Sequence, residues 1–156
     1  MTDREHYAPG PATGAEVRKD GDKWTLVLVR QLRHAPEKVW RALTQGSLIK
    51  EWLMDNDFQA VVGHKFSFRA APAANWSGVI ESEVLVVEPN QKLSYSWGAL
   101  GLESAVVWTL VATKSGTLLR MEHSGFGPDQ DAAYKGATYG WAKFIRNLER
   151  VVGGMS

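Results

Sequence analysis

At the C-terminal end of the chain, apolar residues recur at helical spacing. Tyr134, Ala137, Trp141, Phe144, Ile145, Leu148, Val151 and Val152 form one wide stripe, while Lys135, Lys143, Arg146, Glu149 and Arg150 fall largely elsewhere. The spacing predicts one amphipathic helix over 129–152, stopped by Gly153-Gly154. Upstream of it the period is two. Lys65-Phe66-Ser67-Phe68-Arg69 alternates, Trp76 to Val87 reads as a longer strand, and Leu93, Tyr95 and Trp97 alternate with Ser94 and Ser96. Val106, Trp108 and Leu110 make another set, and Lys114-Ser115-Gly116 turns the chain into Leu119, Met121 and His123. Short turns between such strands imply an antiparallel meander. A sheet with one apolar face must bury it, and the C-terminal helix is the one element large enough to cover it.

The N-terminal part completes the pattern. Residues 1–14, with Pro9, Gly10, Pro11 and Gly14, read as a tail, leaving 15–156 as a single domain. Ala15 to Lys19 is a weak strand, followed by the turn signal Asp20-Gly21-Asp22 and a strong strand over Trp24–Arg33. Pro36 then opens a helix over 36–44, which Gly46 breaks, and Ser47 caps a second over 47–53. The expectation is an α+β fold in which a curved antiparallel sheet of six or seven strands wraps the long C-terminal helix. Two short helices follow the first main strand.

Composition removes several functions. The 156 residues carry a net charge of +1, so a globally basic nucleic-acid or membrane-surface binder is not expected. No cysteine is present, which excludes disulfides, thiolate metal sites and a Cys nucleophile. No apolar run reaches the length of a membrane span and the opening residues are polar, so a cytoplasmic protein is expected. His6, His34, His64 and His123 show no metal-binding helical spacing, and no nucleophile-elbow, Walker or dinucleotide motif occurs. No metal or cofactor is expected.

What remains is an aromatic supply. Trp52, Phe66, Phe68, Tyr95, Trp97, Trp108 and Trp141 come from different elements, and Met121, His123 and Phe144 join them on the inward faces. Core packing explains any one of them; together they also suit the wall of an apolar pocket. Alternation places His123 inward with Leu119 and Met121, either as a core histidine satisfied by partners or as a ligand-orienting or proton-shuttling group. Glu81 and Glu83 share a face with Leu85 and Val87 if their strand is regular; a bulge near Ser77 and Gly78 puts both in water.

Three stretches carry a family resemblance. They are Arg33-His34-Ala35-Pro36-Glu37-Lys38-Val39-Trp40-Arg41-Ala42-Leu43-Thr44 with Glu51-Trp52, then Glu83 to Pro89 with Lys92 to Trp97, then Gly116-Thr117 through Phe126 with Gly140-Trp141. Over roughly residues 24–152 the chain resembles the helix-grip superfamily of START lipid-transfer domains, polyketide cyclases and birch-pollen-allergen-like proteins. Within it, the chain is most similar to the family named after the activator of the 90-kDa heat-shock protein ATPase. The resemblance implies a cavity between sheet and helix, lined by the ten residues above, and a soluble carrier or sensor of a hydrophobic small molecule that binds rather than transforms it. Two other readings stand beside it: a chaperone-interaction domain that stimulates a heat-shock ATPase, and a cyclase- or hydrolase-type enzyme using His123, with Glu81 or Glu83 as a second group.

Overall fold

The computed structural model describes residues 16–20, 23–72, 77–99, 102–127 and 129–155. The expected tail and Trp76 lie outside the described residues. In chain order the elements are β1 (Glu16–Asp20), β2 (Lys23–Leu32), α1 (Pro36–Thr44), α2 (Gly46–Trp52), β3 (Asp55–Asn56), β4 (Lys65–Arg69), β5 (Val79–Glu88), β6 (Lys92–Ala99), β7 (Leu102–Thr113), β8 (Gly116–Phe126) and α3 (Asp131–Gly154). All strands join one antiparallel sheet in the order β1-β2-β8-β7-β6-β5-β4-β3. Its eight strands exceed the expected six or seven, and the two-residue β3 is the one with no period-two signal in the sequence.

The path explains the architecture. After the β1–β2 hairpin, in which Asp20 faces Lys23, the chain crosses through α1 and α2 to the far edge of the sheet. From there it meanders back strand by strand until β8 lies beside β2, with Leu26 opposite His123 and Leu28 opposite Met121. The core sits on the face covered by helices. It joins Leu26 and Leu28 of β2, Phe66 and Phe68 of β4, Tyr95 and Trp97 of β6, Trp108 of β7 and Met121 of β8 to Trp141, Ile145, Leu148 and Val152 of α3. Burying one such side chain contributes roughly 1.5–3 kcal/mol, which makes this face the main source of stability.

Helix boundaries differ from the sequence reading in three places. Pro36 does open α1 with Glu37 in its first turn. However, the break falls on Gln45, whose extended backbone ends α1 and begins α2. Gly46 is thus the first residue of α2, and Ser47 makes no capping bond. Asn56 holds this junction instead, donating from Nδ2 to the Gly46 carbonyl at 3.1 Å. Helix α3 starts at Asp131 and includes Gly153 and Gly154 rather than stopping before them. Packing of Val151, Val152 and Met155 against the core outweighs the poor helix propensity of the two glycines.

Candidate functional site

The inner face of the sheet holds a continuous set of aromatic rings. Phe66 and Phe68 lie 5.0 Å apart, Phe68 and Trp97 5.2 Å, and Trp97 and Trp141 5.0 Å, between ring centroids. Tyr95 touches Phe66, Phe68 and Trp97, while Trp108 meets Trp52 at 5.6 Å and Trp141 at 5.7 Å, both edge-on. These are the offset and edge-to-face arrangements that ring quadrupoles favour. Of the ten residues singled out in the sequence, nine are buried: Trp52, Phe66, Phe68, Tyr95, Trp97, Trp108, Met121, His123 and Trp141. Phe144 is half-buried and packs on Trp141 at 5.7 Å.

His123 is the polar centre of this set, and it is fully engaged. Trp141 Nε1 lies 2.9 Å from His123 Nδ1, and His123 Nε2 lies 2.8 Å from Ser104 Oγ. An indole N–H only donates, so Nδ1 accepts and the imidazole proton sits on Nε2, which donates to Ser104. Ser104 Oγ in turn donates to the Trp97 carbonyl at 2.8 Å. The relay Trp141–His123–Ser104–Trp97 ties α3 to β8, β7 and β6 and leaves neither ring nitrogen for a substrate. Burial without a counter-charge pushes the His123 pKa down to about 3, so the ring is neutral at pH 7. Tyr95 is equally sealed: its hydroxyl accepts from Trp108 Nε1 at 2.9 Å, and burial holds its pKa far above the ordinary phenol value.

The two acids lie on the other side. Ile80, Ser82 and Val84 of β5 face inward, whereas Glu81 is exposed, Glu83 half-exposed and Leu85 exposed with them. The register shifts between Val84 and Val86, so Leu85 is the extra residue of a bulge and Val87 returns to the core side. The outer face carries two open depressions of about 500 and 420 Å3 that share Glu81 and Ser96. The larger is bordered by Glu103, Ala105 and Ser124, the smaller by Asp57, Lys65, Ser67 and Glu83. Hydrogen bonds from Ser67 N and then the nearby Arg69 guanidinium hold the Asp57 carboxyl below its usual pKa. Among the described residues no group of three or more His, Asp or Glu side chains converges.

Sequence reasoning missed three rings. Phe126 lies beyond the alternating Leu119, Met121 and His123, yet β8 continues through it and buries it completely, 4.7 Å from His123 and 5.4 Å from Tyr134. Strict alternation points Phe126 outward. Gly125, at φ +105°, is a bulge that reverses the alternation, with Trp24 opposite Phe126 and Thr25 opposite Ser124. A Cβ on Gly125 would meet the Glu103 carbonyl at 2.9 Å, so the position requires glycine twice over. A glycine inside a strand pattern was the available signal. Phe58, from the segment after α2, packs on Phe66 at 5.2 Å and had no periodicity to mark it. Tyr134 was read as part of the helix stripe but not as a neighbour of Trp24 and Phe126.

With this geometry in place, comparison decides the family. The family model described as "Activator of Hsp90 ATPase homolog 1-like protein" matches residues 33–153. The chain belongs to that family. Its fold is the helix grip, one that generally serves ligand binding. Among solved structures, the family member is similar to protein MLL2253 from Mesorhizobium loti at 50% identity and TM-score 0.80, over 85% of this chain and 98% of that one. It has the fold of CalU16 from Micromonospora echinospora, with 21% identity, TM-score 0.71 and coverage of 91% and 85%. The same holds for BH1534 from Bacillus halodurans, with 24% identity, TM-score 0.69 and coverage of 87% and 99%. A comparison with curated proteins finds no match. Among the described residues no helix is long and apolar enough to cross a membrane.

Proposed function

We propose that this domain takes up a hydrophobic small molecule between the sheet and α3 and releases it unchanged. The observation that carries the reading is the ring-walled interior of Phe66, Phe68, Tyr95, Trp97 and Trp141, next to a helix segment, 133–140, in which no described side chain is fully buried. Apolar walls give affinity by burial, and a loosely seated segment gives a way in. A reacting group is what the interior does not offer. General acid–base catalysis needs a nitrogen or oxygen within reach of the substrate with a suitable pKa. Both His123 nitrogens are engaged, and Glu81 and Glu83 stand on the opposite face.

Titration with the neutral fluorophore N-phenyl-1-naphthylamine tests it. Its emission is expected to rise with the wild-type protein, and mass spectrometry is expected to recover it unaltered. Ala137→Phe, which pushes a ring from α3 toward the core, is expected to weaken uptake by about tenfold, while Glu81→Gln on the outer depression leaves it unchanged. Uptake that survives Ala137→Phe but is lost in Glu81→Gln would place binding on the outer face instead. The family description also names a heat-shock ATPase. Stimulation of a 90-kDa heat-shock ATPase by the domain, beside no uptake of the fluorophore, would replace this reading with a chaperone partnership.

A further inference from the structure

Two buried side-chain polar atoms lack a hydrogen-bond partner among the described residues: Arg30 Nε, whose guanidinium is paired with Glu149 through Nη1, and the Ser82 hydroxyl. Ser82 is 6% exposed, and its hydroxyl oxygen is sealed from water with no hydrogen-bond partner among the described residues. It stands opposite Phe66 of β4 and faces the same side as Ile80 and Val84. The neighbouring strand β6 puts Tyr95 opposite Val84 and Gly98 opposite Glu81, which brings Trp97 alongside Ser82. Ser82 and Phe66 also border the smaller outer depression, but the sealed hydroxyl does not open into it.

The contrast with other polar groups of the sheet is what gives Ser82 meaning. Ser104 bonds His123 and the Trp97 carbonyl, Ser96 accepts from the Glu83 N–H, Tyr95 accepts from Trp108, and Thr117 donates to the His34 carbonyl. An unpaired buried hydroxyl is costly, and alanine in its place would carry no such cost. Ser82 is also the smallest inward side chain among Ile80, Val84, Phe66 and Trp97, and it stands between Phe66 on β4 and Trp97 on β6.

We infer that Ser82 selects the occupant of the interior: an uncharged, ring-bearing molecule with one hydrogen-bonding oxygen or nitrogen, seated with that atom on the Ser82 hydroxyl between Phe66 and Trp97. The inference rests on the interior-binding reading above. The occupant is uncharged because the inward neighbours of Ser82, namely Phe66, Ile80, Val84 and Trp97, are all apolar or aromatic, and stripping water from an ion on that side meets no opposing charge. It has a single polar atom at this point because one serine offers one donor and acceptor site and the flanking groups offer none.

Competition against bound N-phenyl-1-naphthylamine tests the assignment, using 2-naphthol and 2-methylnaphthalene, which differ by hydroxyl for methyl. The wild-type protein is expected to prefer the naphthol by roughly three- to tenfold, the worth of one hydrogen bond. Ser82→Ala is expected to keep fluorophore uptake and lose that preference. Equal competition by the two compounds in the wild type, or a preference that persists in Ser82→Ala, would overturn the role of Ser82 while leaving interior binding intact. No fluorophore uptake by the wild type would sink the interior reading, and this inference with it.

Discussion

Helix α3 is two different structures along one axis. From Trp141 onward, Trp141, Ile145, Leu148 and Val152 are buried, packing that half against the core under α1, α2 and the sheet. Before Trp141, the described residues 133–140 include none that is fully buried; Gly136 and Tyr139 are exposed, and Tyr134 and Ala137 only lean on the core. The N-terminal end has no side-chain cap, and Gly136 and Gly140 lower its intrinsic helix propensity by roughly 1 kcal/mol each relative to alanine. The difference teaches that covering a sheet does not require equal grip along the cover. One half anchors the domain, and the other rests on it through Tyr134 and Ala137 with no fully buried side chain of its own.

The comparison is broken most severely by Trp141→Ala. That change removes a buried ring from the boundary of the two halves and releases the His123 Nδ1 bond, with an expected loss of about 3–5 kcal/mol in denaturant unfolding. His123→Ala is expected to cost less. If it proves the more damaging of the two, the relay rather than ring packing anchors α3. Next comes pH. The unfolded chain takes up a proton on His123 near pH 6.5, whereas the folded chain does so only at about pH 3. Stability from this group is therefore present above pH 6.5 and lost as pH falls toward 3, with a slope of about 1.4 kcal/mol per pH unit. His123→Phe should flatten that slope; an unchanged slope would assign the acid sensitivity to the carboxylates.

Smaller effects sharpen the contrast. Hydrogen exchange of backbone amides should be faster over 133–140 than over 141–152, and similar protection in both would erase the distinction. Gly136→Ala places a Cβ in open space, so it should stabilise the domain by about 0.5–1 kcal/mol and slow fluorophore uptake by stiffening the loose half. Tyr139→Ser, on a side chain 76% exposed, should move stability by less than about 0.5 kcal/mol. A larger loss there would mean that Tyr139 has a contact in solution.

Much of this was legible in the sequence, for a definite reason. Periods of two and 3.6 report directly which side chains face a core, and they placed Phe66, Phe68, Tyr95, Trp97, Trp108, Met121, His123 and Trp141 on one side. Pro36 marked a helix start because its ring fits no other part of that stretch. What periodicity cannot carry is an inserted residue. Leu85 and Gly125 each shift their strand by one, which returns Val87 to the core side and buries Phe126. Nor can it carry partners distant in the chain: Ser104 and Trp141 lie on either side of His123 in sequence, and only the meander and the return of α3 bring both to its ring. Nothing in the sequence marks Ser82, which lies between Glu81 and Glu83; its lack of a partner is a property of the assembled face.

The sheet order has a kinetic consequence. Strand β2 is made early and its neighbour β8 late, with the whole meander between them, so the β2–β8 ladder closes a loop of nearly domain length. Closing such a loop carries an entropy cost before its contacts return anything, and topologies of this kind fold in milliseconds to seconds rather than microseconds. During synthesis the edge of β2 that pairs with β8 in the folded sheet has no native partner until β8 is made. That unpaired edge, bearing Leu26 and Leu28, is the part of the nascent chain most open to mispairing with another copy.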